Sequence, residues 1–164
     1  TPDYCFKRIA DTLDSSVKII FAVRDPILRA YSAFNHYKEI YPTSREWGWD
    51  RDKSFLWNHE NTNAFSWGDY STVIKTCQKF IDPANIHIVV QECLSNTPQK
   101  EYDRIFKFLG VKTYPIENSY LNQHQYRKVK PRPDDSTIEE LSKYYSPYNE
   151  ALFEMLGFRV EQWL

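Results

Sequence analysis

Two short apolar runs constrain this chain of 164 residues more than any other feature. Val17-Lys18-Ile19-Ile20-Phe21-Ala22-Val23 and Ile86-His87-Ile88-Val89-Val90 are β-branched, nearly continuous and short. Such runs suit strands buried on both faces of a parallel sheet. Helical patterns surround them. Phe6, Ile9, Ala10 and Leu13 recur at helical spacing ahead of the first run. Behind it, Arg24-Asp25 leads to Pro26, suited to a first helical turn, and Leu28, Tyr31, Ala33, Phe34 and Tyr37 continue the stripe. Tyr70, Val73, Ile74, Cys77 and Phe80 predict a helix from Asp69 to Ile81, stopped by Asp82-Pro83. Asn96-Thr97-Pro98 is expected to cap another, with Tyr102, Ile105, Phe106 and Leu109 as its stripe and Gly110 as its end. Ser136-Thr137-Ile138-Glu139 reads as a capping box for a helix ending near Tyr145, and Pro147 as the start of a further one through Leu156. Residues 42–66, which include Trp47, Trp49 and Trp57, read as loops with one helix near Lys53 to Glu60, and 114–133 as a long loop. The expectation is an α/β fold, a short parallel sheet flanked by helices, in one domain over residues 1–164.

Composition removes several classes of function. With 21 basic and 22 acidic residues the net charge is −1, which excludes a bulk nucleic-acid binder or a polybasic membrane protein. A hydrophobic fraction of 41% with 16% aromatics excludes intrinsic disorder. The longest apolar run, Ile19 to Val23, is far below the roughly 20 residues of a membrane span. Gly48, Gly68, Gly110 and Gly157 are scattered, so no glycine-rich phosphate cradle is present. His36, His59, His87 and His124 are scattered too, which argues against a metal site and for structural or surface histidines. Cys5, Cys77 and Cys93 form no CxxC, and no Asn-x-Ser/Thr sequon occurs; both point to a reducing, cytoplasmic compartment. The chain opens on Thr1-Pro2 rather than Met and without a signal peptide, as expected of a processed or partial product.

The segment with most chemical content runs from Arg24 to Ser32. Arg24 stands at the carboxyl end of a predicted strand, where open α/β sheets place their ligand crevice. Ser32 follows eight residues later inside the next helix. A guanidinium fork and a hydroxyl so placed would clamp one tetrahedral anion. A salt-bridged Arg24 and a Ser32 that merely fills the helix satisfy the same spacing. Arg127, Lys128, Lys130 and Arg132 form a basic cluster in the long loop, either as an anion contact or as a solvated surface.

Arg24-Asp25-Pro26-Ile27-Leu28-Arg29-Ala30-Tyr31-Ser32 resembles the 3′-phosphate-binding segment, R-[DN]-P-x-x-R-x-x-S, of sulfotransferases that use 3′-phosphoadenosine 5′-phosphosulfate (PAPS). Further segments are similar to that family in order along the chain. Thr1-Pro2-Asp3-Tyr4 resembles its S/T-P-x-Y turn, and Trp67-Gly68-Asp69-Tyr70 its G-x-Y helix. Val89 to Leu94 looks like its V-x-x-E-x-L strand end, and Phe108-Leu109-Gly110-Val111 like its F-L-G-V turn. Tyr126 to Asp134 resembles the nucleotide-covering loop K-G-R-x-x-P-x-x-D of the heparan sulfate and related glycan sulfotransferases. The family's Lys, Gly and Arg there fall on Tyr126, Arg127 and Lys128. Leu141 to Asn149 is similar to their L-x-x-[FY]-Y-x-P-x-N helices, and Trp163 to a Trp near the domain end.

The resemblance implies a partial P-loop-like three-layer fold and transfer of a sulfuryl group from PAPS to a hydroxyl or amine acceptor, with a carbohydrate among the candidates. It implies that Arg24 and Ser32 hold the 3′-phosphate and that Arg127, Lys128 and Lys130 close over the nucleotide. No metal is implied. The family's P-loop-like segment and general base have no counterpart here, so no catalytic residue is assigned. A non-catalytic nucleotide- or glycan-binding module therefore stays open, as does a fragment of another P-loop-like transferase or kinase. A sheet lacking its first strand would expose an edge, which makes homo-oligomerisation an expectation. The Golgi lumen replaces the cytoplasm as the expected compartment if the chain is an animal glycan sulfotransferase.

Overall fold

Both apolar runs are strands, and they pair with each other. In the computed structural model, which describes residues 2–13, 16–40, 50, 52–62, 66–116 and 132–163, β1 (Ile19–Val23) and β2 (Ile86–Val90) form a parallel pair. Their register runs from Ile19 opposite Ile86 to Val23 opposite Val90. Parallel pairing obliges the chain to double back between the strands. The intervening residues supply α2 (Pro26–Ile40), α3 (Phe55–Asn61) and α4 (Tyr70–Gln78). The chain divides into two units, Thr1–Arg24 with Val73–Pro131, and Asp25–Thr72 with Arg132–Leu164.

The first unit holds α1 (Pro2–Thr12), both strands, most of α4, α5 (Gln91–Asn96) and α6 (Pro98–Leu109). Its buried apolar residues are Val23, Ile74, Cys77, Ile81, Val89 and Val90. β1 departs from the expected burial on both faces: Ile20 and Ala22 are exposed while Val23 is buried. Successive side chains of a strand point to opposite faces, so one covered face leaves every second residue at the surface. The apolar stripe of α1 is likewise not core. Phe6 meets the ring of Phe21 edge-on, 6.1 Å between centroids, and Lys79 holds Asp3 at 3.2 Å.

Residues 91–94, expected as the end of a strand, begin the short helix α5 instead. Thr97 does not cap α6 with its side chain; its hydroxyl donates back to the Cys93 carbonyl at 3.1 Å and closes α5. Pro98 at the start of α6 and Gly110 at its end fall where expected. Gly110 adopts φ +74°, its N–H reaching the Lys107 carbonyl, while Val111 N–H donates to Phe106 at 3.0 Å. That left-handed closure favours a residue without Cβ.

The second unit is built from α2, α3 and the long helix α7 (Asp135–Leu156). Ile27, Ala30, Phe34, Phe55, Leu141 and Tyr145 form its core cluster. Tyr31 stacks beside Phe34 with centroids 6.1 Å apart, and Phe55 sets its edge against both. α7 corrects two expectations. Its cap is Asp134, whose carboxylate accepts from Thr137 N–H at 2.8 Å, so Ser136 already lies inside the helix. Pro147 does not start a new helix but sits within α7. Proline removes one backbone donor there. Thr137, Leu141, Tyr145, Asn149 and Leu152 nevertheless keep one buried face on both sides of it. Burying a large side chain is worth about 1.5–3 kcal/mol, so two or three of them outweigh a proline cost of about 3 kcal/mol.

Candidate functional site

α2 starts where the sequence says it should, because Asp25 takes its first free amides. Asp25 Oδ1 accepts from Ile27 N–H at 2.8 Å and from Leu28 N–H at 3.0 Å, and Pro26 needs no partner at the first helical position. An anion arriving at this helix end would find those donors taken. An anion there would have to be met by side chains. Arg24 is half-buried and directly follows the last residue of β1, in the first unit. Ser32 lies on the exposed surface of α2, about 10 Å along the axis from Asp25 at 1.5 Å per residue, in the second unit. Arg127, Lys128 and Lys130 lie outside the described residues.

Behind α2 lies a buried polar group that no local pattern announced. Tyr145 is 0% exposed, and its hydroxyl lies 3.2 Å from His59 Nε2. Arg29, on α2, also hydrogen-bonds Tyr145. A guanidinium only donates, so the Tyr145 oxygen accepts from Arg29, and its own proton is satisfied when His59 Nε2 is the unprotonated nitrogen. That arrangement needs a neutral imidazole. Burial, with the Arg29 charge adding to it, lowers the His59 pKa to about 4. Burial also raises the Tyr145 phenol above its ordinary range. Gly68 closes over the ring: a Cβ there would lie 2.7 Å from Tyr145 Cε1, 2.9 Å from its Oη and 3.0 Å from Pro26 Cβ. Arg29 and its partners thus fix the face of α2 turned away from solvent.

The second unit also carries a pocket of about 600 Å³. Lys38 of α2, Lys53 and Ser54 ahead of α3, and Arg132 and Asp134 ahead of α7 line it, over a floor that includes Phe34 and Phe55. Arg132 was expected in a basic loop. Lys38 and Lys53 carry no motif, and three segments distant in sequence have to fold before they share a cavity. Among the described residues no cluster of three His, Cys, Asp or Glu side chains is placed to hold a metal, and no helix is long and apolar enough to cross a membrane.

The sequence profile of the family described as Sulfotransferase domain matches residues 6–148. A crystal structure of a sulfotransferase from Alicyclobacillus acidocaldarius superposes with a TM-score of 0.71 at 17% sequence identity, covering 96% of this chain and 61% of that one. At that identity the likeness is one of fold, and the chain spans 61% of the length of that protein. The profile covers most of the chain, including the Arg24 to Ser32 segment, both strands and the first half of α7. By that match the chain belongs to the sulfotransferase-domain family.

Proposed function

We propose that this chain carries the 3′-phosphate-binding half of a sulfuryl transferase using PAPS, with a hydroxyl or amine acceptor, a carbohydrate among the candidates. The observation that carries the reading is the order Arg24, Asp25, Ser32 at the β1–α2 junction. Asp25 consumes the helix amides, and the Ser32 hydroxyl is left exposed on α2. A phosphate monoester would then be met by the guanidinium of Arg24 and the hydroxyl of Ser32, the fork matching two phosphate oxygens. Arg127, Lys128 and Lys130 would add charge over the nucleotide. When bound, PAPS supplies the activated sulfuryl group. The residues of this chain would bind and orient its nucleotide end, the kind of positioning on which such transfers rest.

Binding without turnover is the second reading, and the scattered glycines favour it, since the sequence has no glycine cluster of the kind that cradles a phosphosulfate. Either reading implies modest affinity. Two or three charge-assisted hydrogen bonds of about 1.5–3 kcal/mol must first offset several kcal/mol of association cost. The expected Kd is millimolar to high micromolar, which corresponds to about −4 to −6 kcal/mol. The test is a calorimetric titration with 3′-phosphoadenosine 5′-phosphate and with 5′-AMP. The expected result is binding of the first only, lost in Arg24→Ala. Equal binding of both nucleotides, or binding untouched by the substitution, would remove the 3′-phosphate clamp.

A further inference from the structure

We propose that the pocket between Lys38, Lys53 and Arg132 binds a small polyanion, a hydroxylated ring carrying two or more phosphate or sulfate groups. The inference rests on the lining of the pocket alone and holds whether or not the chain binds nucleotide at Arg24. Its volume of about 600 Å³ lies in the range of small-molecule clefts.

Charge comes first. Three cations from three separate segments face this cavity, against one carboxylate, Asp134. None of the three has an ion-pair partner among the described residues. Asp134 offsets one of the three charges and forms an ion pair with none of them. Its oxygens already accept from Ser136 Oγ at 2.6 Å, Thr137 N–H at 2.8 Å and Thr137 Oγ1 at 3.0 Å, and those bonds hold its pKa at about 2. Like charges sharing one cavity repel, and an anion bridging them removes that repulsion. More than one anionic group is needed to meet cations on different elements.

The floor narrows the scaffold. Phe34 and Phe55 are each 7% exposed. The Lys38 ammonium lies 5.2 Å over the Phe34 ring centroid, covering that face, and Phe55 is packed edge-to-face with Tyr31 and Phe34. Among the described residues of the floor, neither Phe34 nor Phe55 presents an open ring face for stacking, which disfavours a nucleobase. Ser54 Oγ accepts from Trp57 N–H at 3.1 Å, which leaves its proton free to donate to a ligand hydroxyl or oxyanion. Charge at the rim, small hydroxyls and an apolar floor without an open ring face suit a compact, hydroxylated, multiply charged ligand.

The experiment titrates the full chain calorimetrically with myo-inositol hexakisphosphate and with a multiply sulfated disaccharide, using myo-inositol and the unsulfated disaccharide as blanks. The two charged probes separate a phosphorylated from a sulfated source of the same chemistry. The expected result is binding of at least one charged probe and neither blank. Affinity should fall about tenfold in each of Lys38→Gln, Lys53→Gln and Arg132→Gln. Lys107→Gln, the same charge change on the exposed side of α6, should leave it unchanged. These exposed side chains can be changed without opening the core, and circular dichroism with thermal melts confirms that each variant folds. Silence toward both charged probes would overturn the proposal. So would an equal loss in Lys107→Gln, which would mark diffuse attraction. A titration with 3′-phosphoadenosine 5′-phosphate that weakens in Lys38→Gln and Lys53→Gln as much as the polyanion does would also overturn it, by making the pocket part of the nucleotide's site.

Discussion

Replacing Gly68 by alanine tests the packing that sets α2 in place. The added Cβ would lie 2.7 Å from Tyr145 Cε1, 2.9 Å from Tyr145 Oη and 3.0 Å from Pro26 Cβ, where ordinary contacts begin at 3.4 Å. Something must therefore move by about 0.7 Å. Tyr145 cannot move cheaply. It is 0% exposed, on the helix face that also buries Leu141 and Leu152, and its hydroxyl is held by Arg29 and His59. Pro26 has little freedom either, since Asp25 caps the helix it opens. Overpacking of this kind costs about 1–3 kcal/mol, and a chain of this size loses about 2–4 °C in Tm per kcal/mol. Urea unfolding of Gly68→Ala should show a lower midpoint at unchanged m-value, and calorimetry a Tm about 2–12 °C below the parent. Tyr145→Phe alone strips the hydroxyl from Arg29 and His59 and costs about 1–3 kcal/mol. The double variant should be less destabilised than the two singles predict, because one of the three close contacts has gone. A Tm change under about 1 °C for Gly68→Ala, or strict additivity in the cycle, would refute the packing argument.

Two further outcomes follow from the same unit. His59 has a folded pKa of about 4 against 6.5 unfolded, so its neutral form contributes stability that is fully present above about pH 6.5 and is lost as pH falls toward 4, at most about 3 kcal/mol. His59→Gln keeps an acceptor for Tyr145 without a proton to gain, so urea unfolding at pH 7.5 and 4.5 should show a smaller acid loss in the variant; equal losses would sink the assignment. Pro147 is exposed within α7, so Pro147→Ala restores a backbone donor without emptying the core and should stabilise the chain by about 1–3 kcal/mol in chemical unfolding. A destabilised variant would mean that the proline shapes the helix rather than interrupting it.

Much of this fold was legible because its signals are local. β2 falls on residues 86–90 as read, α2 opens at Pro26, α3 starts two residues and ends one residue later than expected, and Gly110 ends α6. The misreadings share one cause, a competition between neighbours that spacing does not rank. Ser136 and Asp134 both suit a cap, and Asp134 wins because it can accept from Thr137 N–H, Thr137 Oγ1 and Ser136 at once. Thr97 suits a cap for α6, yet Cys93 offers it a carbonyl one turn back. Pro147 reads as a breaker, but the buried face running from Leu141 to Leu152 spans it. Among the site residues, Arg24 and Ser32 came from a contiguous motif. Lys38 and Lys53 had no such signal, because their shared cavity exists only after α2, α3 and α7 have packed.

The segments that suggested the family have a second role beyond chemistry. Pro26 belongs to the Arg24 to Ser32 segment, Gly68 to the Trp67 to Tyr70 segment, and Tyr145 to the Leu141 to Asn149 segment. In the structure these three residues touch: Gly68 lies against both the Tyr145 ring and Pro26. Arg29, from the first of those segments, hydrogen-bonds Tyr145 from the third. None of the four needs to meet a ligand to account for its place. A glycine is required where the ring approaches, a proline fits the first helical turn, and a buried phenol requires partners. Together they pin α2 to α7, and α2 is the helix that displays Ser32. The resemblance is therefore carried in part by packing. If the proposed phosphate clamp holds, a variant at Gly68 or Tyr145 weakens it through the placement of Ser32, whereas Arg24→Ala weakens it with the fold intact. Unfolding and nucleotide titration measured on the same variants separate the two, and a Gly68→Ala chain that lost stability yet bound 3′-phosphoadenosine 5′-phosphate as well as the parent would break the link between them.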